Sequence, residues 1–543
     1  MKLNINKFSI ELTLPNKTIA GIKGFFERHA VAAITIILSI LAIAFFVLYY
    51  QNGFGVAYND ARSHLNIGRR VVEGLKPGLA QIGSVWLPLP HFLMIPTIWN
   101  DFFWHSGLSG AIQSMVSFVL CGVIIYKFLD ILKVGIIGKI TAIAIFSLNL
   151  NVLYLQSTAM TELLLLFTMT AGSYYLLLWF LNEKLFDFIK AAFFVFISTT
   201  IRYDGWFLLI FSLGLIALDT FKKKGYKQTE GTLILFSTLA GFGIVLWLFW
   251  NLLIFKDPLY FAFGPFSAYA QQEQIKKAGE LLTKGNIVIS IKAYLYSLAY
   301  NTYTFPLVIA FIGFLKFMFD SSYQSKYKYA ILALISPLFF NIIALYFGHS
   351  ILTIPGIYGK YWWNIRYGLM MMPAVAIFIG YLIDRLKHSR AVIIGLVSMV
   401  YFFSFVNKDI VTLDDALYGA SGRNISEVSS WLNENTLDKK GFIMISTAFH
   451  DAIVFSSGLP MKRFITEGTG KYWEYAGKNP EKWTRWIIMR TYDMYDLTSK
   501  ELFNSPNMSY YDKIKSYDFA DIYQLKEEYV SGLITEPILG KQK

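Results

Sequence analysis

Tyr58-Asn59-Asp60-Ala61-Arg62-Ser63-His64 lies just past the first long apolar run, and its reading decides what kind of molecule this is. An acid a few residues beyond a membrane-length segment, followed at once by a helical pattern, is an unusual place for charge. Ionisable groups near hydrocarbon are costly and mark functional positions. Two roles suit Asp60. Asn59 or Asp60 can cap the helix that follows, accepting a backbone N–H bond worth about 1 kcal/mol. Alternatively, Asp60 is the reactive carboxylate of a membrane enzyme. Asparagine caps well but cannot act as a base, so the two roles are separable.

Outward from this stretch, the composition agrees with a membrane setting. Apolar residues make up 55% of the 543-residue chain and aromatics 17%, which excludes a disordered or ordinary soluble protein and predicts many spans. A formal charge of +13 would suggest nucleic acid in a soluble protein. Here the excess of Lys and Arg sits between apolar segments, and the region from 408 onward is nearly balanced. The positive-inside rule accounts for that distribution, so no nucleic-acid partner is expected. Cys121 is the sole cysteine, which excludes an internal disulfide and a thiolate metal cluster.

Residues 1–29 carry Lys2, Lys7, Lys17, Lys23 and Arg28 against two glutamates, and are expected to be cytoplasmic and not a cleaved signal. About eleven spans follow: near 30–50 and 109–128, a third ending near Leu150, a fourth at 162–181, a fifth running to Thr200, a sixth descending to Lys222-Lys223-Lys224, then 233–255, 296–315, 329–347, a tenth opened by Arg366 and ending at Asp384, and 391–406. The count rises to thirteen if 85–104 and 288–300 also dip into the membrane. Lys127, Lys133, Lys139, Lys184, Lys190, Lys222-Lys223-Lys224, Lys316, Lys326 and Lys328 mark the inner loops. An odd number of spans puts the C-terminal region outside. The predicted plan is a membrane domain over 30–407, with an outer loop at 51–108, and an extracytoplasmic domain over 408–543. In that last region, β-rich runs at 442–446, 486–489 and 519–523 alternate with helical stretches at 425–435, 450–456 and 471–476, which predicts an α/β domain. No Gly-rich phosphate loop follows any of these strands, so no nucleotide site is expected. Trp86, Trp99 and Trp104 suit the headgroup level.

The ionisable residues of note share one side. Asp60, His64, His91, Glu162, Arg202, Asp204, Asp257, Lys360 and Arg366 all fall outside or at outer ends of spans, a pattern for chemistry at an interface and not for a path through the bilayer. Each also has a plainer role. Arg62, Arg69 and Arg70 suit anionic headgroups, or one of them a phosphate. His64 and His91 would make half a metal site or a hydrogen-bonded pair, and their spacing fits no zinc motif. Glu162 complements the dipole of the helix it opens. Arg202-Tyr203-Asp204-Gly205-Trp206 reads as a tight turn with a local ion pair, or as a cation that Asp204 orients toward a lipid phosphate. Arg366-Tyr367 admits the same two readings. Asn424-Ile425-Ser426 and Asn507-Met508-Ser509 are sequons of a kind that arises by chance.

Together these motifs resemble the GT-C superfamily of polytopic glycosyltransferases, in particular the branch of aminoarabinose transferase and the protein O-mannosyltransferases. The resemblance rests on Asn59-Asp60-Ala61 with its loop helix, on Trp86-Leu87-Pro88-Leu89-Pro90-His91, on Thr161-Glu162, on Arg202-Tyr203-Asp204-Gly205 and on Arg366-Tyr367. It implies a mainly α, GT-C type membrane bundle in the cell membrane. It also implies an inverting transferase moving sugar from a polyprenyl- or dolichyl-phosphate donor to a glycan, lipid or protein acceptor. Asp60 would be the base, and Arg202, Arg366 and Lys360 would hold the donor phosphate. Tyr203, Tyr367, His64, His91, Glu162, Asp204 and Asp257 are further site candidates. No cofactor is expected, a divalent metal being the alternative. A lipid-linked oligosaccharide polymerase or ligase is the neighbouring reading. A transporter is the reading from another class, against which stand the absence of matching halves and of midplane charges.

Overall fold

A computed structural model describes residues 16–265, 267–277, 279, 281–419, 425–490 and 496–538. The first half of the expected cytoplasmic segment and Asn424 of the first sequon lie outside the described residues. The chain is mainly helical, with a small sheet region toward the C-terminus.

Six described helices are long and apolar enough to cross a bilayer: His29–Gln51, Leu108–Ile131, Glu162–Asn182, Asp204–Phe255, Ile365–Arg385 and Arg390–Tyr418. The number rises to eight if each of two bent pairs is one span. Length and apolarity alone therefore do not reach the expected eleven. Part of the difference is that the 52 residues of Asp204–Phe255 are two helices folded back on each other, since Gly205 near the start and Gly243 near the end both pack against 198–200. Gly225 interrupts it at φ 73° and ψ −175°, immediately after Lys222-Lys223-Lys224, where two crossings were expected to meet. The rest is brevity. Ile136–Ser147 and Leu185–Thr199 have 12 and 15 residues, short of the roughly 20 a straight span needs.

Two expected single helices are broken. Ile287–Thr302 and Thr304–Phe319 meet at 108° where one span was expected at 296–315. Tyr303 leaves the helical region there at φ 62°, and Pro306, in the first turn of the second helix, has no N–H to continue the first. Ser325–Leu334 and Ser336–Phe347 bend by 46°, with Pro337 in the same first-turn place. Elsewhere the helices approach closely because small residues let them. A Cβ on Gly138 would stand 2.4 Å from the Gly380 carbonyl oxygen, so Ile136–Ser147 and Met372–Arg385 cross backbone to backbone.

The C-terminal sheet has five strands in the order Phe464–Ile465, Phe442–Ile445, Thr484–Met489, Asp521–Leu525, Tyr511–Ser516. The first three are parallel and the last two join antiparallel. Ser426–Thr436, Thr447–Ser456 and Lys471–Lys478 are its helices at the expected places. The buried central strands read as unbroken apolar runs, Phe442-Ile443-Met444-Ile445 and Trp486-Ile487-Ile488-Met489, as parallel strands covered on both faces do. The domain docks on the loop helix Asn59–Val72. Asn66 Nδ2 donates to the Asp451 carbonyl and carboxylate, each at 2.8 Å, and Arg70 pairs with Asp451 at 2.9 Å.

This docking changes the reading of the loop. Arg70 ties two domains together, and Arg69 is buried against Glu73 and Asp101. Arg62 donates to the Val56 carbonyl and to Asn59 Oδ1. None of the three guanidiniums is left for headgroups, since each has donors committed inside the fold. Trp104 is likewise fully buried, its indole N–H on Asn66 Oδ1. Trp99 is exposed, as the interface reading expects.

Candidate functional site

Asp60 sits in the first turn of the Asn59–Val72 helix, and no side chain caps that helix. The helix begins after Tyr58 with neither Asn59 nor Asp60 on its free N–H groups. Asn59 accepts from Arg62 instead, and the Asp60 carboxylate turns inward. Arg366 Nη2 donates to Asp60 Oδ2 at 2.6 Å, and Arg366 Nε donates to Glu162 Oε1 at 3.0 Å. Glu162 Oε1 also accepts from Arg202 Nη1 at 3.1 Å, and Arg202 Nε reaches Asp204 Oδ2 at 3.3 Å. Residues from positions 60, 162, 202, 204 and 366 thus form one continuous ion-pair network. Glu162 does keep its place as the first residue of the Glu162–Asn182 helix, so its place at the helix start and its place in the network coincide.

Local structure explains how Arg366 is delivered here. Asn364 is in the left-handed region, and Ile365–Met371 forms a 3-10 turn before the following helix. Ser297 Oγ and Asn301 Nδ2 both donate to the Ile365 carbonyl, at 2.8 and 2.6 Å. Gly368 allows the approach, since a Cβ there would meet the Ser297 carbonyl at 2.2 Å. The break at Tyr303 frees the Asn301 carbonyl, and Asn149 Nδ2 satisfies it at 2.8 Å. Irregular backbone at this depth is tolerated because protein side chains take its hydrogen bonds.

The sequence reading missed Asp415. It lies on the Val411–Tyr418 helix, which extends the 390–407 span and packs into the membrane body, on the far side of the expected boundary at 408. Thr412 is held by Asn151 Oδ1, which accepts from its N–H and its hydroxyl at 3.0 Å. Asp415 Oδ2 stands 3.6 Å from Arg366 Nη1 and accepts from the Tyr58 hydroxyl at 3.0 Å. Tyr58, also missed, lays its ring under the Arg366 guanidinium, 4.9 Å from its centre. An acid pair directly beyond an apolar run, Asp414-Asp415, is the same signal that singled out Asp60.

The remaining candidates divide. Tyr367 lies between both guanidiniums, 5.0 Å from that of Arg202 and 5.5 Å from that of Arg366. His64 and His91 share a 2.9 Å hydrogen bond, with Trp86 packed on the His64 ring. Burial, then the Arg202 and Arg366 charges, push the His64 pKa down to about 3, so this imidazole is neutral at neutral pH. Tyr203 donates to the Val85 carbonyl at 2.8 Å and stacks on Phe261, bracing the wall of the site. Asp257 is exposed and accepts from the Leu259 N–H. Lys360 is exposed on the Tyr358–Trp363 strand, and neither of these two joins the network. Among the described residues, no three His, Cys, Asp or Glu side chains converge to hold a metal ion.

Two features of the network bear on chemistry. Four carboxylates surround two guanidiniums, and Arg366 Nη1, Glu162 Oε2, Asp204 Oδ1 and Asp415 Oδ1 are buried without a hydrogen-bond partner. Buried charge of this kind is normally fully paired. Access is also uneven: the Asp60 side chain is 32% exposed, against 0% for Glu162 and Asp415 and 4% for Asp204. Among the four carboxylates, Asp60 is the one open to a molecule arriving at the site.

No family model and no curated protein matches the chain. Solved structures do match. ArnT from Cupriavidus metallidurans aligns in its apo state at TM-score 0.51 and 10% identity, over 90% of this chain and 98% of that one. The same protein bound to undecaprenyl phosphate aligns at 0.51 and 9% identity over the same shares. The archaeal oligosaccharyltransferase AglB from Archaeoglobus fulgidus, solved with an inhibitory peptide and a dolichol-phosphate, aligns at 0.50 and 10% identity, over 93% of this chain and 75% of that one. At such identities the likeness is one of fold: the chain shares its overall fold with ArnT and with AglB.

Proposed function

We propose that this chain is an integral-membrane inverting glycosyltransferase. It moves a sugar from a polyprenyl- or dolichyl-phosphate donor to an acceptor hydroxyl at the outer face of the cell membrane. The observation that carries the reading is Asp60. It is the one partly exposed carboxylate of an otherwise buried network, and it is paired with an arginine suited to an anionic leaving group. The fold supports the donor class, since its solved examples carry undecaprenyl phosphate and a dolichol-phosphate.

Asp60 removes the proton of the acceptor hydroxyl as that oxygen attacks the anomeric carbon. The bond from that carbon to the phosphate oxygen breaks, and the lipid phosphate leaves with its charge. Arg366 and Arg202 stabilise the charge from positions set before the reaction, so little reorganisation is needed. The inner lysines at Lys222-Lys223-Lys224 and the Arg202–Asp204 turn stand at opposite ends of one crossing. That polarity supports an outer position for the network by the positive-inside rule. Lys360, remote from the network, is assigned no part in this step.

Purified protein offered a panel of polyprenyl-phosphate sugars tests the reading. Wild type is expected to release or transfer sugar from at least one donor, and Asp60→Asn to lose about a hundredfold or more in rate. Equal rates in the folded variant would overturn the mechanism.

A further inference from the structure

Arg366 has partners of two kinds. Asp60 is reachable from outside and makes the shortest contact, 2.6 Å to Nη2. Asp415 is fully buried, faces Nη1 at 3.6 Å, and is held by the hydroxyl of Tyr58, whose ring also underlies the guanidinium. Glu162 closes the third side at Nε, but shares that oxygen with Arg202. With four carboxylates to two guanidiniums, the site already has more negative charge than positive. An anion that takes the Arg366 Nη2 donor must displace the carboxylate already on it, and a charge added beside four carboxylates is costly unless one of them yields. Only Asp60 has somewhere to go, because the other three are enclosed.

We propose that Asp60 is an exchangeable latch on Arg366 and that Asp415, held by Tyr58, is the anchor that keeps Arg366 in place when the latch opens. The proposal rests on the glycosyltransferase reading and deepens it. Donor phosphate takes the Nη2 donor from Asp60, and the released carboxylate becomes available to the acceptor hydroxyl. Before the donor arrives, that carboxylate is occupied, so water is not activated in its absence. The base is thereby coupled to donor binding with no movement larger than a side-chain rotation. Asp415 is a positioning residue: it acts through Arg366 and touches no reacting atom.

Binding of undecaprenyl phosphate to the full chain in nanodiscs separates the roles. Asp60→Asn removes the competitor and should bind the probe more tightly than wild type, by about fivefold for a part-exposed ion pair. Asp60→Ala should show the same sign if the asparagine variant folds poorly. Asp415→Asn, which keeps an acceptor for Tyr58 but loses the charge, should bind more weakly, with Asp415→Glu recovering part of the loss. A merely structural role would not move affinity in opposite directions at two carboxylates. If both neutral variants tighten alike, only the general field matters and the anchor is overturned. If wild type binds and Asp60→Asn is no tighter, the latch fails while the donor reading survives. If wild type binds no lipid phosphate at all, the donor reading fails and takes the latch with it.

Discussion

Glu162 Oε1 accepts hydrogen bonds from two arginines that lie 164 positions apart in the chain, Arg202 and Arg366. Such an oxygen is the point on which the site is assembled. Removing it would leave two buried cations with one fewer partner, whereas exposed pairs of the same kind contribute little. His64 belongs to the same neighbourhood and gives a pH-dependent prediction. Folding lowers its pKa from the ordinary 6.5 to about 3, so between those values the unfolded chain takes up a proton that the folded chain refuses. Stability is therefore fully present above about pH 6.5 and declines as pH falls toward 3. Denaturation of wild type and His64→Gln across that window should show a shallower acid loss in the variant. Parallel curves would mean that His64 does not carry the effect.

At the scale of elements, the Asn59–Val72 helix does two jobs with one rigid body. Its first turn presents Asp60 to Arg366, and its later turns hold the C-terminal domain through Asn66 and Arg70. Asp451, which receives both contacts, has its pKa raised by burial, with the Arg70 charge opposing that rise. The long Asp204–Phe255 element depends on a different device. Gly225 adopts φ 73° and ψ −175°, a combination essentially reserved to glycine. Nothing lies within 4 Å of where its Cβ would be. Gly225→Ala should therefore cost about 1–3 kcal/mol from backbone strain alone, read as a lower midpoint of thermal unfolding in detergent. An unchanged midpoint would show that the junction relaxes freely.

At the scale of the whole molecule, the contact between the loop helix and the α/β domain requires both to lie on one side of the membrane. The Lys222-Lys223-Lys224 junction, at the far end of the helix that starts beside the network, is predicted on the other side. Cys121 is the sole cysteine and is fully buried, so introduced cysteines can report sidedness without background. A membrane-impermeant thiol reagent on intact cells should label Asn504→Cys, on the exposed surface of the domain, and leave Lys227→Cys unlabelled until lysis. The reverse pattern would invert the orientation and move the proposed chemistry to the inner face.

The sequence by itself determined the mainly helical, apolar character of the chain, the loop helix and three of the five strands of the C-terminal sheet. These depend on composition and on short-range periodicity, which one chain displays directly. It also singled out Asp60, Glu162, Arg202, Asp204 and Arg366, because charge next to hydrocarbon is rare enough to notice. Only the tertiary structure decided that these five meet, that Asp415 and Tyr58 complete their network, and that Lys360 and Asp257 stand apart. It also decided where helices break, since a proline such as Pro306 permits either a kink or a new first turn. The physical reason is common to all of these. Ion pairing acts over a few ångströms in space, and the partners of Arg366 come from positions 60, 162 and 415, whose proximity no local pattern encodes.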